Sequence, residues 1–403
     1  MRIFLLAFRN LGRNKRRSVV TALTIAFGVF AIVFLQSFVN ALIRSIIETS
    51  VESKVGALQV FKTGYLGSDD PLKMALVDDP DLVARIRSVP GVVAVAPRLD
   101  FDGMLSNGSE ATMFSATAID PAREYTVCPR RATYVAKGSR PLGKDSERSV
   151  LIGATLAESL MAKPGSTLVM QSVGVHAGVN ALDVTVQGFL RTTHPSESKR
   201  AATVTLAFAQ ELLRTKGAIT HYVVGIRDVG RLEETATHLR RALGPGFQVT
   251  TWRDLDSTNS GRATMIKGLM VVVTVVLFLL VLTGVVNTMM MSVYERIRKI
   301  GTMLAVGVRR HSIRTLFLWE GLLLGLFSAG AGSVVGFALV SWMGRRGITM
   351  AFGPNEPVTY IPHVTFAFLL AVVLVTTGGA VLAALVPAWK GSRLRPVEAL
   401  RAP

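Results

Sequence analysis

Charge is scarce in this chain, and negative charge is scarcer still. Only 18% of its 403 residues are Asp, Glu, Lys or Arg, where a soluble domain carries about 25%. Against 45 Lys and Arg stand 27 Asp and Glu, a net charge of +18. Half of the residues are hydrophobic, which excludes intrinsic disorder. Cysteine is nearly missing. The single Cys128 excludes a disulfide-stapled scaffold, and no lipobox surrounds it, so the chain is not expected to be a lipoprotein itself.

Catalytic groupings are missing as well. His176, His194, His221, His238, His311 and His363 include no pair spaced to share a metal with another His, Cys or carboxylate. There is no G-x-S-x-G. The stretch Gly138–Asp145 follows most of the phosphate-loop pattern G-x-x-x-x-G-K-[ST] but ends in Asp145, where a magnesium-binding hydroxyl belongs. Pro141 interrupts it and a charged segment follows. It reads as a chance match. The chain is expected to be no enzyme and to hold no cofactor.

Four long uncharged runs dominate what is present: Ser18–Ile43, Gly268–Tyr294, Gly321–Gly344 (reaching back to Thr315 if Glu320 is tolerated) and Val364–Trp389. Crossing a bilayer takes about 20 helical residues, and each run is long enough. The positive charge crowds the ends of these runs, which points to a membrane and away from nucleic acid. Arg2, Arg9, Arg13, Lys15, Arg16 and Arg17 precede the first run; Arg296, Arg298, Lys299, Arg309, Arg310 and Arg314 separate the second from the third; Lys390, Arg393, Arg395 and Arg401 follow the fourth. Between the third and fourth stand only Arg345 and Arg346. The positive-inside rule then predicts cytoplasmic termini. The first run is too long for a signal peptide's apolar core and no Ala-x-Ala follows it, so a retained anchor is expected.

The expected plan is an α-helical membrane protein with four spans and a large α/β extracytoplasmic domain between the first two. Its segments are a basic cytoplasmic tail 1–17, span one 18–43, the external domain 44–267, span two 268–294, a cytoplasmic helix loop 295–312, span three 313–344, an external loop 345–362, span four 363–389 and a cytoplasmic tail 390–403. In the external domain, Gly91–Val95, Ser149–Ile152, Val184–Phe189 and Tyr222–Ile226 read as strands, and Asp79–Arg87 and Arg231–Leu243 as helices. A weak repeat is visible: Asp81–Arg87, a Pro-Gly turn and Val92–Val95 against Arg231–Leu243, a Gly-Pro-Gly turn and Phe247–Thr250. Gly174–Asn180 and Arg191–Arg200 read as loops, the second a solvated loop or a mobile arm that touches a partner or cargo.

The stretch after span two predicts a short amphipathic helix from Glu295. Ile297, Ile300 and Leu304 fall on one side; Glu295, Arg298, Lys299 and Thr302 are polar; Gly307 suits a C-terminal cap. Two readings fit: a basic helix lying on lipid, or a docking helix for a groove on a partner. In span three, Gly321 and Gly325, then Gly332 and Gly336, form two G-x-x-x-G pairs that predict close helix packing, against span two or four. Glu320 is the one acid inside a span; it can reach the interface or pair with an arginine such as Arg314, and a structural ion pair is expected ahead of a proton relay.

Three motifs together resemble the FtsX-like, MacB-type (type VII) permease family of ABC transporters. They are Phe8–Arg17; the run Asn287–Gly307, reading N-T-M-x-M-S-V-x-E-R-x-R-x-I-G-x-x-x-A-x-G; and Pro387-Ala388 followed by Leu394–Arg401. Lys299 departs from the Glu that many members carry there. The segment Gly56–Tyr65 and the overall length are most similar to the lipoprotein-releasing, LolC/LolE-type permeases. The resemblance implies a multi-pass bacterial inner-membrane permease dimer, homomeric or heteromeric, with the large domain periplasmic, and it adds contacts near the dimer seam for the span-three glycines. It implies a separate LolD-like ABC ATPase that binds ATP and Mg, because the chain starts too close to its basic motif for a fused one. Glu295, Arg296, Ile297, Arg298, Ile300, Gly301, Leu304, Ala305 and Gly307 then become the coupling helix on that ATPase. Mechanotransmission would extract a lipid-anchored or amphipathic cargo, lipoproteins first, with a periplasmic carrier as a further partner. The alternatives are export of another amphipathic cargo such as a peptide, antibiotic or lipid, FtsX-like control of cell-wall hydrolases without transport, and a membrane-anchored sensor or adhesin with no ATPase.

Overall fold

The computed structural model describes residues 15–68, 71–136, 138–174, 178–191, 195–350 and 358–393. The basic motif before Lys15, the ending after Arg393 and His176 and His194 lie outside the described residues. The chain divides into two compact units, Ser45–Ala263 and, around it in sequence, Met1–Arg44 with Thr264–Pro403.

Helix α1 (Lys15–Thr49) runs on as a π-helical segment, Ser50–Lys54. The inter-span domain follows in the order β1 (Leu58–Lys62), β2 (Leu76–Val77), α2 (Pro80–Arg87), β3 (Val92–Ser106), β4 (Ala111–Ile119) and α3 (Pro121–Val127). Then come β5 (Ser149–Gly153), α4 (Ala154–Ser159), β6 (Thr167–Val173), β7 (Val179–Leu190), β8 (Ala201–Thr205), α5 (Leu206–Leu212), β9 (Ala218–Ile219), β10 (His221–Ile226), α6 (Leu232–Leu243) and β11 (Phe247–Thr251). Nine strands form one sheet in the order β11-β1-β10-β3-β4-β8-β5-β7-β6.

Two sub-structures share that sheet. Strands β11, β1, β10 and β3 are antiparallel neighbours. With α2 between β1 and β3, and α6 between β10 and β11, they make a split β-α-β pair of ferredoxin-like order. This is where the sequence repeat lies: Leu82, Ile86 and Val89 from one copy and Leu232, Ala236, Leu239 and Leu243 from the other enter one core with Val60, Val95 and Val224. Each such side chain, buried, contributes roughly 1.5–3 kcal/mol. Asp79 caps α2 by accepting from the Asp81 amide at 2.9 Å, with Pro80 in the first turn. Everything from β4 to β9 is inserted between the two copies.

The insertion is a ring. The last residues of β3, Met104–Ser106, pair with Gln171–Val169 of β6, so β3, β4, β8, β5, β7 and β6 close on themselves. Leu99, Phe101, Phe114, Val150, Ile152, Met170, Val186 and Val204 share the core of this part. Gly103 is required at the closure: a Cβ there would overlap the Gln171 carbonyl. β3 and β7 are much longer than the stretches expected from sequence, because alternating polar residues on the outer face continue each strand where apolar content has run out. The Arg191–Arg200 segment differs from the expected loop or arm. Residues 192–194 lie outside the described residues, but Pro195–Ser198 form a helical turn. Ser198 is buried, and its Oγ accepts from the Thr155 amide at 3.0 Å. The phosphate-loop look-alike is irregular and leads into β5, a strand.

The other unit holds α7 (Ser257–Glu295), α8 (Ile297–Ala305), α9 (Arg310–Arg346), the short antiparallel pair β12 (Ile348–Met350) and β13 (Val358–Tyr360), and α10 (Phe366–Ser392). Among the described residues four helices, α1, α7, α9 and α10, are long and apolar enough to cross a membrane. α1 and α7 outrun their apolar stretches, since hydrophobicity marks the lipid and not the end of a helix. Ile25, Val29 and Val33 of α1, Val281, Val285 and Met289 of α7, Leu324 and Ala329 of α9, and Ala380 and Ala384 of α10 form their common core. The hydroxyls of Thr21 and Thr288 bond across α1 and α7 at 2.7 Å.

Candidate functional site: a short helix anchored to the spans

Helix α7 stops at Glu295 because Arg296 leaves helical geometry (φ −112°, ψ 12°), and α8 starts at the next residue. α8 ends in a paired cap. Gly307 has φ +91°, the Val308 amide donates to the Met303 carbonyl at 3.0 Å and the Gly307 amide to Leu304 at 3.1 Å. Those are the two bonds of a Schellman ending, and glycine carries its left-handed residue without strain.

The apolar stripe of α8 is spent inside the chain. Ile300 is 2% exposed and packs with Val293 of α7, Ile313 and Phe317 of α9 and Ala388 of α10, with Leu304 beside them. Gly301 is buried and Ile297 half-buried. This corrects the sequence expectation that the stripe lies on lipid or fills a partner's groove. An i, i+3, i+7 pattern reports a buried side without saying what buries it. Glu295, Arg298, Lys299, Thr302, Ala305, Val306 and Gly307 are the exposed positions, Val306 at 82%.

A buried ion pair fixes the elbow. Arg296 Nη1 donates to Glu320 Oε1 at 2.8 Å, with side chains 16% and 4% exposed. The expected partner, Arg314, instead donates from Nε to Ser392 Oγ at 2.9 Å. Six residues along a helix place Arg314 about 120° around from Glu320, so nearness in sequence misleads. The elbow brings Arg296 to the right side.

The glycines of α9 are used pairwise. A Cβ at Gly321 would lie 2.8 Å from Ala384 Cβ, and one at Gly325 2.8 Å from Ala380 Cβ. Beyond them, a Cβ at Gly332 would strike the Ala26 carbonyl and one at Gly336 would lie 2.9 Å from Val33 Cγ1. One pair therefore seats α10 and the other α1. Packing within the chain uses both, with span one in the place expected for span two.

A family model described as the FtsX-like permease C-terminal matches residues 271–396. A second, the MacB-like periplasmic core domain, matches residues 18–242. The chain belongs to the FtsX/MacB-type family of ABC transporter permeases. It is 25% identical to the macrolide export ATP-binding/permease protein MacB of Hyphomonas neptunium over 98% of this chain and 60% of that one. It is 22% identical to the lipoprotein-releasing system transmembrane protein LolC of Xylella fastidiosa (strain Temecula1) over 79% of this chain and 80% of that one. The periplasmic region of MacB from Actinobacillus actinomycetemcomitans aligns at TM-score 0.36 and 13% identity, covering 53% of this chain and 97% of that one. The chain spans about 60% of the length of the Hyphomonas relative.

The inter-span domain of this MacB-type permease holds a second constellation that sequence reading missed. Arg98 of β3, 3% exposed, is paired through two nitrogens with the fully buried Glu124 of α3. Its Nη1 donates to the Lys54 carbonyl at 2.7 Å, as Arg131 Nη1 does at 3.2 Å. Arg130 bridges Glu48 at 2.8 Å and Glu52 at 2.9 Å. The chain leaving α1 is thus clasped by the segment after β4. Burial pushes the Glu124 carboxyl up, but Arg98 and then Arg131 outweigh it and hold it below the usual range. Burial and then the like charge of Arg98 lower Arg131. Burial lowers His221 to about 4 against the pull of Asp100, so the ring stays neutral, and burial pushes the Cys128 thiol up to about 11. Beside the clasp, Ser50 Oγ donates to Asp256 Oδ2 at 2.8 Å, and Asn259 Nδ2 reaches Ser50 Oγ at 3.1 Å and Asp256 Oδ2 at 2.9 Å. The Asp256/Asn259 spacing was a usable signal. Nothing in sequence tied either to Ser50.

Proposed function

We propose that the chain is the membrane subunit of a mechanotransmitting ABC transporter, with α8 as the element that seats on an ATP-binding subunit. The observation that carries this reading is the anchoring of α8. A short helix is clamped to three spans by Ile300 and by the Arg296–Glu320 pair, while Arg298, Lys299, Ala305 and Val306 stay exposed. A helix held this stiffly can pass a push from a partner into the spans. The excess of Lys and Arg beside α8 and at both termini supports placing them in the cytoplasm and the large domain on the other side of a bacterial inner membrane. ATP and Mg would be held by the partner, and a second permease chain, identical or similar, would complete the assembly.

The cargo we propose is amphipathic or lipid-anchored, drawn from the outer leaflet by motion of the large domains, with a periplasmic carrier as its acceptor. Lipoproteins are the first candidate, since a LolC relative is named for their release. A second reading, export of a small amphipathic compound, rests on relatives named for macrolide and pyoverdine export. Control of cell-wall hydrolases has no observation of its own in its favour.

The test is purification of the chain from its native membrane in mild detergent, with mass spectrometry of what accompanies it. The exposed pair changed together, Ala305→Asp and Val306→Asp, is the informative variant. Gly301 is unsuitable because it is buried. Co-purification of an ATP-binding chain that the double variant loses is the expected result. Absence of any such chain from the unaltered protein sinks the transporter reading in favour of an anchored sensor.

A further inference from the structure

A cleft of about 750 Å³ opens in the inter-span domain on the sheet face opposite the α2 and α6 core. Strand alternation makes it: Val60, Leu99, Ala116 and Tyr222 point to the cores, while Phe61, Arg98, Thr117, Thr203 and His221 form the cleft floor. The volume falls within the range of small-molecule sites, about 300–1,000 Å³. Five cations line it, Lys54, Arg98, Arg131, Arg191 and Arg200, against the carboxylates Asp100 and Glu197. With Glu124 beneath, two positive charges remain in excess among the described residues.

Those charges are unevenly satisfied. Lys54 is met by Glu197 at 3.2 Å and Arg98 is committed to Glu124. Arg131 has only a share of Glu124, at 3.4 Å. Arg200 is exposed and has no ion-pair partner among the described residues. His221 is 2% exposed and its Nδ1 bonds Thr220 Oγ1 at 2.9 Å, but its buried Nε2 has no hydrogen-bond partner, and neither has Asp100 Oδ1. The His221 ring sits 4.8 Å from Phe61, which stacks on Tyr65 at 5.1 Å, an apolar wall beside the cations.

We propose that this cleft binds a phosphate-bearing organic ligand, its phosphate on Arg131 and Arg200 and its body against Phe61 and Tyr65. Arginine forks suit phosphate oxygens, and an excess of two charges matches a phosphate better than a single carboxylate. Thr49, Ser53 and Asn259 also line the cleft, so an occupant rests against the end of α1, the π-helical segment after it and the first turn of α7. The inference stands apart from the transport reading.

The test uses the full chain in an uncharged detergent. It is titrated with glycerol 3-phosphate, with dihexanoyl phosphatidylglycerol below its micelle concentration, and with dihexanoyl phosphatidylcholine as the zwitterionic control. Binding is read by thermal unfolding and by tyrosine and tryptophan fluorescence. Saturable binding of an anionic probe is expected. Arg200→Glu, at an exposed rim position, should weaken it about tenfold, and Thr117→Trp, which fills the floor, should abolish it. Saturation by both anionic probes identifies a soluble phosphate compound; saturation by the acylated one alone identifies a lipid headgroup. Failure of both, equal binding of the phosphatidylcholine, or indifference to both variants overturns the site.

Discussion

Two buried residues give the sharpest predictions. His221 is neutral when folded, with its pKa lowered to about 4 from 6.5. Between those values the unfolded chain binds the extra proton, so stability falls as pH drops through that window and is level above it. The loss is on the order of 3 kcal/mol. Glu124 acts lower, since its folded pKa is depressed: its contribution is present above about 4.3 and disappears as pH falls through the folded value. Urea unfolding of the full chain from pH 4 to 7 should therefore slope, and His221→Gln should flatten the slope. A slope unchanged by that variant assigns it elsewhere. In the membrane unit, Glu320→Gln strands Arg296 and should cost about 3–5 kcal/mol. Exchanging the two, Arg296→Glu with Glu320→Arg, should recover a good part of it in the same unfolding assay. If the pair only fills space, the exchange will recover nothing.

At the level of elements, the glycines of α9 are not equivalent. A side chain at Gly330 meets open space, whereas one at Gly332 meets the backbone of α1. Gly332→Leu should destabilise by about 1–3 kcal/mol through overpacking, and Gly330→Leu should be near neutral, both measured by thermal unfolding in detergent. The same comparison shows what sequence could reveal. Spacing identified the small-residue face but not which neighbour uses each pair. The four spans were legible because lipid demands long unbroken apolar runs. The α2 and α6 repeat was legible because helical spacing survives in a dozen residues. Ring closure was not, since the β3–β6 pairing joins residues about 65 apart through backbone bonds alone and leaves no side-chain signature. Nor was the Arg296–Glu320 pair, which depends on a helix break at one residue.

For the whole molecule, the lone cysteine becomes a tool. Cys128 is fully buried and its thiol is pushed up to about 11, so a thiol reagent should leave it untouched at neutral pH. Single cysteines can then be added without removing it. Met161, 72% exposed, and Val306, 82% exposed, are suitable positions. With the proposed orientation, Met161→Cys reacts with a membrane-impermeant maleimide in cells whose outer membrane has been made permeable, and Val306→Cys reacts only after lysis. The reverse pattern inverts the topology.

β3 sets how such a molecule can move. One strand of 15 residues is a member of the ferredoxin-like sheet at its start and of the ring at its end. A tug along its length loads the β4 ladder in shear, so many hydrogen bonds must fail together; a tug across it would peel them one at a time. The strand is a beam common to two rooms, with no doorframe between them. On the proposed mechanotransmitting reading, force that arrives at Lys54 would enter that beam directly, since Arg98, which donates to the Lys54 carbonyl, is part of it. On that reading the two parts of the inter-span domain that share β3 would respond as a single body.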